Sequence, residues 1–307
     1  MKRLLCIIGL QVVLAGSSCS GETGFPKLCG PYLGQDPPGD VPIEFKFDVM
    51  PGAYALHSAP VFTPEGNEVY FSAMDFNVRY SEKVFVMRMV DSLWTPPQVA
   101  SFSGNYFDGA PSLSRDGKYL FFSSARKEDG SGMNETGERN IWYVERMGQG
   151  WGAPKPLPFR TPGWENGSDL SAQGNLFFDS GDIYRMPFSP DGKGTVGKLT
   201  DAVNSEATEL HPCVAPDERF LIFYSSRSGH FGSEGGDLYI SFKNSDGGWM
   251  KAGNLGEQFN KGHLSTSFPR LSADDKYFFF LKLVSIPWHC DVYWVSVKAI
   301  DALRPGE

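Results

Sequence analysis

Five imperfect copies of one short pattern constrain this chain more than any other feature. The first two run Ala59-Pro60-Val61-Phe62-Thr63-Pro64-Glu65-Gly66 into Val69-Tyr70-Phe71-Ser72, and Ala110-Pro111-Ser112-Leu113-Ser114-Arg115-Asp116-Gly117 into Tyr119-Leu120-Phe121-Phe122. The third is Gly167-Ser168-Asp169-Leu170-Ser171-Ala172-Gln173-Gly174 into Leu176-Phe177-Phe178, and the fourth His211-Pro212-Cys213-Val214-Ala215-Pro216-Asp217-Glu218 into Phe220-Leu221-Ile222-Phe223. The fifth is Phe268-Pro269-Arg270-Leu271-Ser272-Ala273-Asp274-Asp275 into Tyr277-Phe278-Phe279-Phe280. Positions 60, 111, 168, 212 and 269 are spaced by 51, 57, 44 and 57 residues. A period near fifty marks an architecture in which each unit buries its apolar faces against its neighbours.

Each copy continues with a second short strand signature: Lys83-Val84-Phe85, Asn140-Ile141-Trp142, Asp182-Ile183-Tyr184, Asp237-Leu238-Tyr239 and Asp291-Val292-Tyr293. Trp94, Trp151 and Trp249 follow in three copies as expected inter-blade packing, with Val196 in that place in the third. Four short strands per unit, with a tight turn between the first and second, is the pattern of a propeller blade. Aromatic residues at 14%, with 35 Gly and 22 Pro, supply the strand and turn formers such a fold needs. The fifth copy ends soon after its third strand. Ile43-Glu44-Phe45-Lys46-Phe47 stands where a fourth strand precedes every other copy. The expectation is an all-β, five-bladed β-propeller of four-stranded antiparallel blades, closed by that N-terminal strand. Six blades, the alternative, would need a degenerate copy within residues 25–56, where no turn signature occurs.

Met1-Lys2-Arg3, an apolar run from Leu4 to Ala15 and the small residues before Cys19 form an export leader over residues 1–18. The run is too short to span a bilayer, which needs about 20 residues. Residues 19–40 then form a tether and N-terminal segment, 41–300 a single propeller domain and 301–307 a tail. The formal net charge of -8 argues against a nucleic-acid partner, since phosphate binding needs a basic face. Beyond the leader and Cys19, only Cys29, Cys213 and Cys290 remain, so at most one disulfide can form among them.

The phrase Pro, any residue, aromatic or Leu, Ser or Thr, Pro, Asp or Glu, Gly, followed by an aromatic strand, resembles the WD40-like PD40 repeat of TolB-type propellers. Gly30-Pro31-Tyr32-Leu33-Gly34-Gln35 and the closing Asp291-Val292-Tyr293-Trp294-Val295 resemble the ends of exported bacterial members. The third copy departs in lacking the anchoring Pro, and the fourth in having Glu218 for the turn Gly. Cysteine after small residues resembles a bacterial lipoprotein signal, although Gly16 stands where that pattern prefers Leu. The resemblance implies acylation of Cys19, and Ser20 after it implies outer-membrane sorting, facing the periplasm or the exterior. A soluble periplasmic or secreted protein is the alternative. The implied role is a protein-interaction module, by analogy of fold.

In a propeller the first strand of each blade lines the central channel. Here the loops 126–139, 160–168, 227–236 and 256–267 are long and share one face, where binding is expected. Three residues before each anchor stand His57, Asp108, Glu165, Glu209 and Thr266. Converging carboxylates could form an acid–base pair or a cation seat. The plainer reading has them capping backbone groups or pairing with Arg126 and Arg227. Tyr106, Phe107, Trp164, Phe231 and Trp288 on the same face could stack on sugars. No nucleophile elbow, zinc-binding His pair or phosphate loop occurs, so no cofactor or metal is expected. These features point to an envelope-anchored, monomeric binding propeller for a protein or glycan, touching the membrane only through its lipid. Its candidate binding residues are His57, Asp108, Trp164, Glu165, Glu209, Phe231 and Trp288. The rival is a carbohydrate-active hydrolase or lyase using Asp108, Glu165 and Glu209.

Overall fold

The computed structural model describes residues 25–306 apart from 160, 162, 230, 233, 234 and 287. The expected leader, the lipidation site Cys19 and the start of the tether lie outside the described residues.

Five antiparallel sheets follow one another along the chain as the blades of a propeller. Blade 2 shows the plan: inner strand Asp108–Leu113, second strand Tyr119–Ser124, third strand Asn140–Met147, and an outer strand in two pieces, Gly150–Trp151 and Lys155–Pro156. Blade 5 pairs Ser265–Leu271, Tyr277–Ser285 and His289–Ser296 with Ile43–Phe45 from the other end of the chain. Ile43 lies opposite Trp294 and Phe45 opposite Val292, so the N-terminal strand closes the ring as expected. The ring has five blades, not six.

The repeat phrase encodes the turn between inner and second strands. Gly66, Gly117 and Gly174 adopt φ of 67°, 68° and 82°, and each N–H returns to the carbonyl three residues back. Glu218 and Asp275 adopt the same left-handed conformation, with φ of 59° and 55°, and close the same hydrogen bond. The loss of Gly at 218 is offset by side-chain bonds. Its buried carboxylate pairs with Lys243 Nζ at 2.5 Å and accepts from Asn175 and Ser171.

The five seams between blades carry five apolar clusters. Phe121 faces the seam between blades 2 and 3, while its neighbour Phe122 faces blade 1. Phe177 and Phe178 divide in the same way, as do Phe279 and its flanking Phe278 and Phe280. Side chains alternate across a strand, so a blade buried on both faces requires a continuous aromatic run rather than an alternating one. The tryptophans pack as expected. Trp151 Nε1 donates to Tyr70 OH across a seam at 2.9 Å, and Trp249 meets Phe177 edge-on.

Residues 29–35 are built into the fold. Tyr32 and Leu33 take left-handed φ of 49° and 59°, which buries Leu33 and sets the Tyr32 ring against Phe62, Tyr277 and Trp294. This segment sits at the short-turn end of the seam between blades 5 and 1, where Trp94 Nε1 donates to Gly30 O. The C-terminal helix Lys298–Asp301 ties to blade 4 through Arg219 and Asp301 at 2.8 Å. Cys29, Cys213 and Cys290 form no disulfide.

Candidate functional site

The inner strands carry most of the expected site residues, but the structure spends the three carboxylates within the scaffold. Asp108 is fully buried, accepting from Ser124 Oγ at 2.5 Å, Arg126 Nη2 at 2.9 Å and Ser103 Oγ at 2.9 Å. Glu209 repeats the arrangement two blades on, with Ser225, Arg227 and Ser205. Glu165 accepts from Ile141 N and from the backbone and hydroxyl of Thr161. Each carboxylate clamps a strand end to the loop beside it, the plainer of the two readings of the sequence. Thr266 is buried as well. Of the five aligned residues only His57 keeps solvent contact at the mouth, with its side chain 14% exposed.

His57 belongs to a second constellation that the repeat alignment does not pick out. Its Nδ1 lies 2.7 Å from Oε1 of the buried Glu82, which also accepts from Ser72 Oγ at 2.7 Å and, on Oε2, from Arg139 Nη1 at 2.6 Å. Burial pushes the Glu82 carboxyl up, but His57 and then Arg139 outweigh it and hold the group at about 2. An ionised carboxylate only accepts, so Nδ1 carries the hydrogen and Nε2 is left as the nitrogen offered to a ligand. Gly109 makes room for this arrangement, because a Cβ there would overlap the Glu82 carboxylate.

Arg139 extends the network by donating through Nη2 to Asn166 Oδ1 at 2.9 Å. Asn166 leads to the buried Asp179, which accepts from the backbone N–H groups of Asn166, Gly167 and His211 at 3.1, 2.9 and 2.7 Å. No cation pairs with Asp179 among the described residues. Burial raises its carboxyl to about 7 against those three bonds. His211 stacks on Phe268 at 3.7 Å, and Phe268 lies 5.6 Å from the ring of His57.

Backbone strain marks the same level of the channel. Ala110, His211 and Phe268 have φ of 49°, 53° and 50°, and each precedes a proline, which disfavours helical backbone before it. Each also sits where the inner strand slips register against its neighbour. Such bulges re-aim side chains. Here they accompany the stacking of His211 on Phe268 across two blades. Gly167, at the equivalent place in blade 3, has space for a Cβ only at 3.0 Å from the His211 backbone.

Around this polar centre the long-loop face exposes apolar side chains. Phe76 and Trp288 stack on each other at 5.8 Å beside His57, and Trp288 lies 5.1 Å from its ring. Phe76, Val78, Trp164, Phe231, Val284 and Ile286 are exposed. Phe107 and Tyr106 do not join them as binding surfaces. Phe107 is buried beneath Arg139, and Tyr106 is covered by Arg126. Glu82 and Arg139 left one faint trace in the sequence, as charged residues directly preceding two of the third-strand signatures. Asp179 left none, and His211 and Phe268 were legible only as the residues before two anchor prolines, since the bulges are what bring them together. Among the described residues no group of three or more His, Cys, Asp or Glu is arranged to hold a metal.

The fold resembles that of TolB-type propellers. A TolB structure from Agrobacterium tumefaciens matches with a TM-score of 0.53 at 16% identity, covering 82% of this chain and 80% of that one. TolB from Acinetobacter baumannii matches with a TM-score of 0.51 at 14% identity, covering 80% of this chain and 58% of that one. No family model matches the chain, and no curated protein matches it.

Proposed function

We propose that this chain is an exported, envelope-anchored PD40-type propeller that binds a protein partner through its long-loop face. The observation that carries the reading is the ring of exposed apolar side chains around the His57 mouth. Aromatic Phe76, Trp164 and Phe231 are accompanied there by aliphatic Val78, Val284 and Ile286. A sugar would be served by the aromatic faces alone, whereas mixed aromatic and aliphatic surface of this kind suits the apolar centre of a protein interface.

The path of the chain supports the orientation. Leu28 and Gly30 are held at the short-turn end of blade 1 by Trp94, whose backbone N–H and Nε1 donate to their carbonyls at 2.8 Å each. A lipid on Cys19 would enter from that end and leave the opposite, long-loop face open to a partner. No helix among the described residues is long and apolar enough to cross a membrane.

Recovery of a protein from envelope extracts by the tagged full-length chain tests this. Phe76→Ser, Trp164→Ser and Ile286→Ser should abolish recovery while leaving the Tm unchanged. Undiminished recovery by all three variants sinks the assignment of the face. Capture of glycans in place of protein would favour a sugar ligand.

A second reading, carbohydrate hydrolysis or elimination, is favoured by one observation: the imidazole of His57 is oriented by a buried carboxylate, as a general base requires. Turnover of a polysaccharide panel that is lost in His57→Gln would establish it. An inert wild-type protein would dismiss it.

A further inference from the structure

A cleft of about 680 Å³ opens at the short-turn end of the seam between blades 1 and 2, away from the mouth. Two arginines meet in it on one carboxylate. Arg88 Nε donates to Glu68 Oε1 at 2.8 Å, and Arg146 Nη2 donates to Glu68 Oε2 at 2.7 Å. Glu68 is buried, and Tyr70 OH also donates to its Oε2 at 3.0 Å. Trp151 donates to Tyr70 in turn and carries the Arg146 guanidinium 4.0 Å above its ring. The buried acid and the two rings thus fix where both guanidiniums stand. Both Nη atoms of Arg88 and Nη1 of Arg146 make no hydrogen bond among the described residues and remain for a ligand.

Two guanidiniums on one carboxylate leave a positive charge over, and their planar forks match the oxygens of a phosphate or carboxylate. A bare anion is nevertheless a poor match. Glu65 and Asp116 stand on the same cleft and, with Lys118, bring its lining to three acids and three bases. Both acids are exposed, and neither forms an ion pair among the described residues. A lining with both signs and no net charge suits a zwitterion, whose anionic end meets the arginines and whose cationic end meets the acids.

The position of the cleft favours a lipid as the source of that zwitterion. Cys29 bridges to Leu93, and Leu93 pairs with Val90, which lines the cleft. Ten residues separate Cys29 from Cys19, a reach of at most about 35 Å. With Cys19 acylated, the cleft lies on the side turned to the bilayer, where Val90 and Met147 are exposed beside it.

We infer that the cleft binds a phosphoethanolamine group, with its phosphate on Arg88 and Arg146 and its ammonium on Glu65 and Asp116. The source is the headgroup of a bilayer phospholipid, a choice that rests on the anchored orientation proposed above.

The chain from Ser20 onward contains the whole closed ring but neither leader nor acyl chain, so its binding reports the cleft and not the anchor. It should sediment with vesicles of phosphatidylcholine and phosphatidylethanolamine in equal parts. It should not sediment with phosphatidylcholine alone, whose methylated ammonium cannot donate to Glu65 or Asp116. Soluble glycerophosphoethanolamine should compete, and it should shift the indole N–H resonance of Trp151, the ring that carries Arg146. Arg88→Gln should weaken both effects about tenfold. Should that variant not fold, Glu65→Gln in its exposed turn serves instead, with a loss of about threefold. A site for a bare anion would gain from losing that acid, so tighter binding by Glu65→Gln overturns the assignment. Competition and a Trp151 shift without sedimentation would keep the ligand and replace the lipid by a free phosphoethanolamine ester. Absence of both sedimentation and the Trp151 shift overturns the inference, as does binding that Arg88→Gln leaves unchanged. No arm involves the long-loop face or Cys19, so failure here leaves the partner and anchor readings intact.

Discussion

The Nδ1 atom of His57 lies 2.7 Å from Oε1 of Glu82, 25 residues further along blade 1, and Arg139 of blade 2 holds the other carboxylate oxygen. One buried carboxylate thus orients the imidazole at the channel mouth and clasps two blades.

Replacing Glu82 by Gln removes the charge that Arg139 needs and leaves that guanidinium buried, a change that costs about 3–5 kcal/mol. Chemical denaturation should show the loss at pH 7. The folded carboxyl, at about 2, titrates below its ordinary value of 4.5. Its contribution is therefore fully present above about pH 4.5 and lost as pH falls toward 2. The stability difference between wild type and variant should shrink over that window. A constant difference would mean that Glu82 acts through packing alone.

Asp179 has the opposite sign. Its folded value of about 7 stands above the ordinary 3.8, so in that interval the folded state holds a proton that the unfolded state has released. Stability from this group is present below about pH 4 and lost as pH rises through 7, by an amount on the order of a few kcal/mol. Asp179→Asn should flatten that part of the stability profile measured between pH 5 and 8. An unchanged slope would count against a protonated Asp179.

The triple variant Asp108→Asn, Glu165→Gln, Glu209→Gln should melt lower than the wild type. Arg126 and Arg227 each lose a charged partner, and unpairing a buried arginine costs more than relieving distant like charges gains. A higher Tm would mean that the three carboxylates repel one another at a functional site.

Phe45 is 1% exposed in the strand that closes the ring, with Phe279 at 5.4 Å and Trp294 at 5.0 Å. Phe45→Ala should cost about 3–5 kcal/mol. Because it loosens the closure, hydrogen exchange should accelerate first in His289–Ser296. Uniform acceleration through all five blades would instead indicate that the ring opens only as a whole.

The amino-acid order alone determined the architecture. Turn chemistry recurs at a fixed place in each copy, and the aromatic runs have the length of a strand buried on both faces. The displaced strand at Ile43-Glu44-Phe45 could be assigned to the last blade because only that blade lacked a partner. These are local signals repeated five times, and repetition makes each of them legible. The pairing of Asp108 with Arg126 and of Glu209 with Arg227 was also readable, since each pair lies on one hairpin. The candidate site was not. His57, Glu82, Arg139, Asp179, His211 and Phe268 come from five different blades, and although several of them stand at recurring places in the copies, nothing in the repeat says that these six meet. What joins them is the register slip before each proline and the missing side chains of Gly109 and Gly167. Such contacts depend on where five strands meet around an axis, which only the closed ring decides.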